Sequence, residues 1–114
     1  MINGNEFLTV TDIAKIFYIS RQAVDGWLND GRLKFYKLGN TRRIRPEDFI
    51  EYLENLGNDK ASMANFKACI YRCLYSKYNR EEYFEEAKKQ VILYTKYNKE
   101  KEEYLKSYRE KAKK

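Results

Sequence analysis

A chain of 114 residues has room for one compact domain and an appendage, and two full domains would crowd it. Its formal net charge is +6 with no histidine, which favours a polyanionic partner; with no glycine-rich phosphate loop either, the composition argues against an enzyme, and no cofactor is expected. No apolar run approaches the ~20 residues of a bilayer span, and the opening MINGNEFL lacks the basic and apolar regions of a secretory signal, so the expected location is cytoplasmic.

Thr9, with Asp12 three residues on, has the spacing of a helix N-terminal box, and Ile13, Ala14, Ile16 and Phe17 supply the buried stripe of a short first helix. Ser20 is placed to cap a second helix, in which Val24, Trp27 and Leu28 face inward and Asn29, Asp30 and Gly31 end the run. The intervening YIS is short enough for the corner of a helix-turn-helix. With Val24 and Trp27 turned in, the opposite face presents Arg21, Gln22, Asp25 and Asn29; Arg and Gln carry the donor geometry that reads guanine and adenine edges. Taken alone these are ordinary solvated helix residues, and it is the next element that distinguishes them.

After Gly31, LKFYKLGNTRRIR reads as two strands over about residues 33–38 and 41–45, joined by Gly39-Asn40, which tolerate the positive φ of a tight hairpin. Six basic residues and no acidic one lie between Arg32 and Arg45. Lys37, Arg42 and Arg43 are expected to project from this wing toward phosphates, where each neutralised contact releases counterions and positions the protein more than it specifies sequence. Pro46 then opens a third helix, with Glu47, Asp48, Glu51 and Glu54 on its first turns and outer face, Phe49, Ile50, Leu53 and Leu56 closing the core, and Gly57 as its stop.

Together, FLTVTDIAKIF and ISRQAVDGWLNDGRLKFYKLGNTRRIRPEDFIEYLE resemble the DNA-binding domain shared by phage excisionases and MerR-type regulators, over about residues 6–56. The more specific matches are Leu8-Thr9, then Val24, Trp27 and Leu28, then Asp30-Gly31-Arg32-Leu33, Leu38-Gly39 and the basic triplet before Pro46-Glu47-Asp48. The resemblance implies a winged helix-turn-helix whose second helix enters the major groove while the wing lies along an adjacent phosphate strand or minor groove. Double-stranded DNA is the implied partner, and the candidate contacts are Ser20, Arg21, Gln22, Asp25, Tyr36, Lys37, Asn40, Thr41, Arg42 and Arg43. Asp25 and Gly26 depart from similar proteins, which often carry Tyr, Arg or another contact-capable side chain there. Gly26 costs a helix interior roughly 1 kcal/mol relative to Ala, and Asp25 would be repelled by phosphate yet could accept from cytosine.

GNDKAS, over residues 57–62, divides the chain into a DNA-reading unit, 1–57, and a helical oligomerisation segment, 58–114. Residues 1–56 carry eight basic and eight acidic side chains and residues 57–114 carry fifteen and nine, so the excess charge arises in the second half. From Met63 a heptad register places Met63, Ile70, Lys77, Phe84, Val91, Asn98, Leu105 and Ala112 at a. Phe66, Cys73, Arg80, Ala87, Tyr94, Lys101 and Tyr108 then fall at d. The seam fails at Lys77, Arg80, Asn98 and Lys101, and Asn79 followed by Glu82 looks like a helix start. Helices over 62–78 and 80–113 are expected, with their fusion into one bent rod as the alternative. Cys69 and Cys73, four apart on one helix face, read as buried free thiols and not as zinc ligands, with a disulfide or metal between protomers left open.

The second helix would be about 50 Å long, too long to bury its seam against some fifty residues. A homo-oligomer is therefore expected, dimer first and tetramer second, through Phe84, Ala87, Val91, Tyr94, Asn98, Leu105 and Tyr108, the bland alternative being a solvated charged helix. The expected fold is mainly α with a small β-hairpin wing, a winged helix-turn-helix followed by long C-terminal coiled-coil helices. The expected function is sequence-specific binding of double-stranded DNA as an oligomer, by a transcriptional regulator or excisionase-like accessory factor of a phage, plasmid or mobile element, associated with nucleoid or plasmid. The alternative is a segregation accessory protein that links DNA to a filament or membrane. A fragment ending at Gly57 is expected to stay folded as a monomer.

Overall fold

The computed structural model describes residues 6–112. In chain order the elements are β1 (Leu8–Thr9), α1 (Val10–Phe17), α2 (Arg21–Asn29), β2 (Tyr36–Leu38), β3 (Thr41–Ile44), α3 (Pro46–Asn55), α4 (Lys60–Tyr78) and α5 (Glu81–Ala112). This is the expected class, mainly helical with a small antiparallel sheet and long C-terminal helices. Lys113, the expected last residue of the final helix, lies outside the described residues.

Local chemistry explains the first half. Thr9 and Asp12 form a reciprocal capping box: the Asp12 N–H donates to Thr9 Oγ1 (3.1 Å) and the Thr9 N–H to Asp12 Oδ2 (2.8 Å). Burial works against the Asp12 charge, but the Lys77 ammonium at 2.6 Å and the Thr9 N–H outweigh it and hold the carboxyl below its ordinary value. Tyr18, left-handed at φ 56°, ends α1, and Ser20 caps α2 by accepting from the Ala23 N–H (3.2 Å). At the wing, Gly39 alone of the two turn residues has a positive φ (63°), the pattern of a II′ hairpin. Pro46 begins α3 with its φ already set for a helix.

The sheet has three strands in the order β1-β3-β2, all antiparallel. The expected hairpin is present with shorter strands, and β1 adds to it through Leu8 opposite Ile44 and Thr9 opposite Arg43. Leu8, Ile13, Val24, Leu33, Ile44 and Phe49 are fully buried beneath it. Leu56, expected in the core, is 61% exposed, because α3 ends there and the chain turns away at Gly57 (φ 84°).

The core does not stop at Gly57. Ile70 and Leu74 of α4 are fully buried in the same cluster as Leu8 and Phe49, and the Phe66 ring stands 5.0 Å from that of Phe17. At the far end of α4 the Tyr78 hydroxyl donates to the Phe7 carbonyl and accepts from the Phe7 N–H, both at 3.0 Å. Buried Glu6 accepts from Tyr83 Oη and from Arg80 Nη1. Composition changes at 57–62, but packing is continuous across it, so the expected independence of residues 1–57 has no support in the core.

The C-terminal helices differ from expectation in two ways. Asp59 caps α4, whose first residue, Lys60, is two residues earlier than the expected start, and Asn79 closes α4 instead of opening α5: it is left-handed (φ 52°) and its N–H donates to the Tyr75 carbonyl at 2.8 Å. That reversal folds α5 back along α4, antiparallel, instead of fusing the two into a rod. Tyr71 stacks on Tyr83 (6.3 Å), Lys60 lies over the Tyr97 ring (5.9 Å) and Lys101 pairs with Asp59 (2.8 Å), holding that carboxyl down at about 2. The buried α5 residues are Tyr83, Ala87 and Gln90. The seam against α4 thus buries Ala87, which was expected in the oligomer contact, and takes one side of the Phe84 ring against Tyr75 (5.2 Å), while Val91 and Leu105 stay largely exposed.

Candidate nucleic-acid interface

Helix α2 turns Val24 and Leu28 into the core and half-buries Trp27, whose ring lies 5.5 Å from Tyr52. Its opposite face is therefore fixed, and Ser20, Arg21 and Gln22 stand exposed at its start. The wing closes over the other end of that face. Arg42 donates from Nη2 to Asn29 Oδ1 (2.8 Å) and from Nη1 to Asp25 Oδ1 (3.4 Å), with its guanidinium 5.1 Å from the centre of the Phe35 ring. Between α2, the wing tip and the start of α1 runs an open groove lined by Thr9, Val10, Thr11, Arg21, Asp25, Asn29, Asn40, Thr41 and Arg42.

Strand alternation separates the three basic wing residues that were expected to act together. Arg42 shares its face of β3 with buried Ile44 and is directed at α2; its cross-strand partner Lys37 lies on that same side, exposed. Arg43 stands on the opposite face, between its register partners Thr9 and Tyr36. There the Arg45 guanidinium, followed by Lys34, holds the Tyr36 hydroxyl below the ordinary phenol range, and Arg45 also pairs with Glu47. Among the described residues Arg21, Lys37 and Arg43 make no ion pair, so their charges remain available to a polyanion, whereas that of Arg42 is engaged.

Of the ten candidates, the structure gathers Arg21, Asp25, Asn40, Thr41 and Arg42 around one groove. Ser20 and Gln22 flank it on the exposed start of α2, Lys37 lies on its wing side, and Tyr36 and Arg43 lie on the far face of the sheet. Thr9, Val10 and Thr11 also line it and were not singled out; the capping box, which puts the N-terminus of α1 there, was the available signal.

Gly26 has nothing within 4 Å of where a Cβ would stand, so no contact among the described residues requires a glycine. Gly26→Ala is expected to raise the free energy of unfolding by roughly 1 kcal/mol, read as a higher denaturation midpoint. If that gain is accompanied by loss of duplex binding, the backbone at Gly26 approaches DNA; if binding is retained, the glycine is only a weak point of α2.

The second of two short helices set against a hairpin wing, with a cationic groove between them, defines a helix-turn-helix DNA-binding domain. Residues 7–57 match the model of a family described as a helix-turn-helix domain, and DNA is the partner that this class of domain binds. No curated protein and no solved structure matches the chain. Among the described residues no helix is long and apolar enough to cross a membrane. Cys69 and Cys73 are free and half-buried, and burial pushes the Cys73 thiol up to about 11, which keeps it protonated at neutral pH.

Proposed function

We propose that this protein binds double-stranded DNA sequence-specifically as a homo-oligomer, as a transcriptional regulator or excisionase-like accessory factor of a mobile element. The supporting observation is the groove: the free charges of Arg21 and Lys37 flank it on α2 and the wing, and Gln22 stands at the exposed α2 N-terminus with no competing partner among the described residues. In this reading Arg21 and Gln22 meet base edges, Lys37 with Ser20, Asn40 and Thr41 meets phosphates, and Arg43 with Tyr36 faces the backbone from the outer side of the wing.

Oligomerisation is assigned to the α5 face that stays exposed, where Phe84, Val91, Asn98 and Leu105 follow a seven-residue spacing and the three apolar members are 39%, 48% and 40% exposed, Phe84 with one side of its ring on Tyr75. The occupant is a second copy of α5 running antiparallel. Glu81, Lys88, Glu102 and Arg109 border the stripe. An antiparallel pairing centred near Thr95 sets Glu81 beside the partner subunit's Arg109 and Lys88 beside the partner subunit's Glu102. A parallel, in-register pairing sets each of these e positions opposite an uncharged g position, so neither ion pair forms. Two heads at opposite ends of such a pair suit an inverted repeat.

Titration of fluorescent duplexes across a salt series tests the DNA reading. Lys37→Ala is expected to weaken all duplexes alike and to lower the salt slope by about one, while Gln22→Ala changes the ranking among sequences. Indistinguishable behaviour of the two variants would remove the groove assignment.

A further inference from the structure

We infer that Arg42 is a positioning residue, a strut that fixes the wing to α2 and neutralises Asp25, and that it does not itself neutralise a phosphate. The inference rests on the DNA-binding reading of the same groove and revises the part that its most central cation plays. Asp25 and Asn29 are one helical turn apart, and the planar guanidinium reaches both at once, from Nη1 and Nη2. An ammonium is a point charge and cannot span the two acceptors in that way. The Arg42 side chain is only 32% exposed, its guanidinium lies over the Phe35 ring, and its strand face is the one that carries buried Ile44.

The wing needs such a strut, because a two-stranded ribbon is marginal by itself and β1 secures only the β3 edge, at Thr9 and Leu8. Among the described residues no strand lies beside the β2–β3 turn beyond Arg43. Arg42 supplies the attachment from the other side, to the helix against which the wing must be aligned to meet one duplex. It also places a cation next to Asp25, the one acidic group in the groove. Asp25 and Asn29 then serve as anchors for the wing, and sequence reading by α2 is left to Arg21 and Gln22.

The full-length protein is tested without and with DNA. In the free protein, hydrogen exchange at the β2 and β3 amides is compared for wild type, Arg42→Ala and Arg42→Lys, together with the thermal midpoint; binding to a fluorescein-labelled mixed-sequence duplex of about 30 base pairs is then measured across a salt series. For Arg42→Ala we expect several-fold faster exchange confined to the wing and a nearly unchanged midpoint, as befits a half-exposed pair. Duplex affinity falls several-fold at every salt concentration with an unchanged slope. Arg42→Lys, which retains the charge, rescues neither the exchange nor the affinity, and adding Asp25→Ala to Arg42→Ala recovers part of the affinity by removing the unpaired carboxylate. A salt slope lowered by about one with unchanged wing exchange would make Arg42 a phosphate contact and overturn the inference, as would full rescue by Arg42→Lys. If wild type binds no duplex, the DNA-binding reading fails, and the exchange data on the free protein still decide whether Arg42 holds the wing.

Discussion

A chain ending at Gly57 is expected to lose cooperative unfolding altogether, showing a broad, sloping far-UV melt where the full chain gives a sigmoid. The cut removes Ile70 and Leu74, both fully buried, and Met63 and Phe66, which pack in the same cluster as Leu8, Ile13 and Phe49. It also removes Tyr78, Arg80 and Tyr83, whose side chains hold Phe7 and Glu6 and through them β1. A milder version is Ile70→Ala, which leaves a cavity in that cluster and should cost about 2–5 kcal/mol, a large share of the 5–15 kcal/mol typical of a domain. A fragment 1–57 with a sharp transition and native-like amide dispersion would show that α4 merely lies on a finished core. Residual duplex binding by an unfolded fragment would not, because the six basic residues from Arg32 to Arg45 attract phosphates even where the fragment as a whole is neutral.

The elements legible in the sequence are those whose signals are local. The Thr9–Asp12 box, the Ser20 cap, the Gly39-Asn40 turn and Pro46 each place an element end through groups within a few residues of one another. β1 carries no such signal: two residues show no alternation, and only the free edge of β3 makes them a strand. Asn79 is ambiguous because asparagine suits both a helix N-cap and a left-handed C-cap, and the choice follows from α5 folding back on α4. The same reversal shifts the seam, since heptad counting assumes that the next helix continues the last one. In the site, residue types and the α2 face are legible, and so is the basic run of the wing. That Arg42 meets Asp25 and Asn29 while Arg43 turns away depends on the strand boundary and on how the wing leans on α2, which no window of the sequence contains.

Association through α5 makes the sharper demand on that helix, because hydrophobicity and charge order must agree on one geometry. At 1.5 Å per residue α5 is about 48 Å long and α4 about 28 Å. Lys101 already lies opposite the start of α4, so Tyr104, Leu105 and Tyr108 extend beyond the described residues that could cover them. Val91→Asp with Leu105→Asp places two carboxylates in the proposed stripe and, in analytical ultracentrifugation at micromolar concentration, is expected to convert a dimer into a monomer with unchanged helical content. Lys88→Glu brings like charges together twice in each antiparallel dimer, at Glu102 of either copy. Each exposed pair contributes about 0.2–1 kcal/mol, so this variant should weaken the dimer several-fold, and adding Glu102→Lys should restore it. In a parallel dimer Lys88 faces no charge of the partner, so neither the loss nor the rescue would depend on residue 102. A Val91→Asp, Leu105→Asp protein that still sediments as the wild type removes the α5 interface, and failure of Glu102→Lys to rescue Lys88→Glu removes its antiparallel alignment.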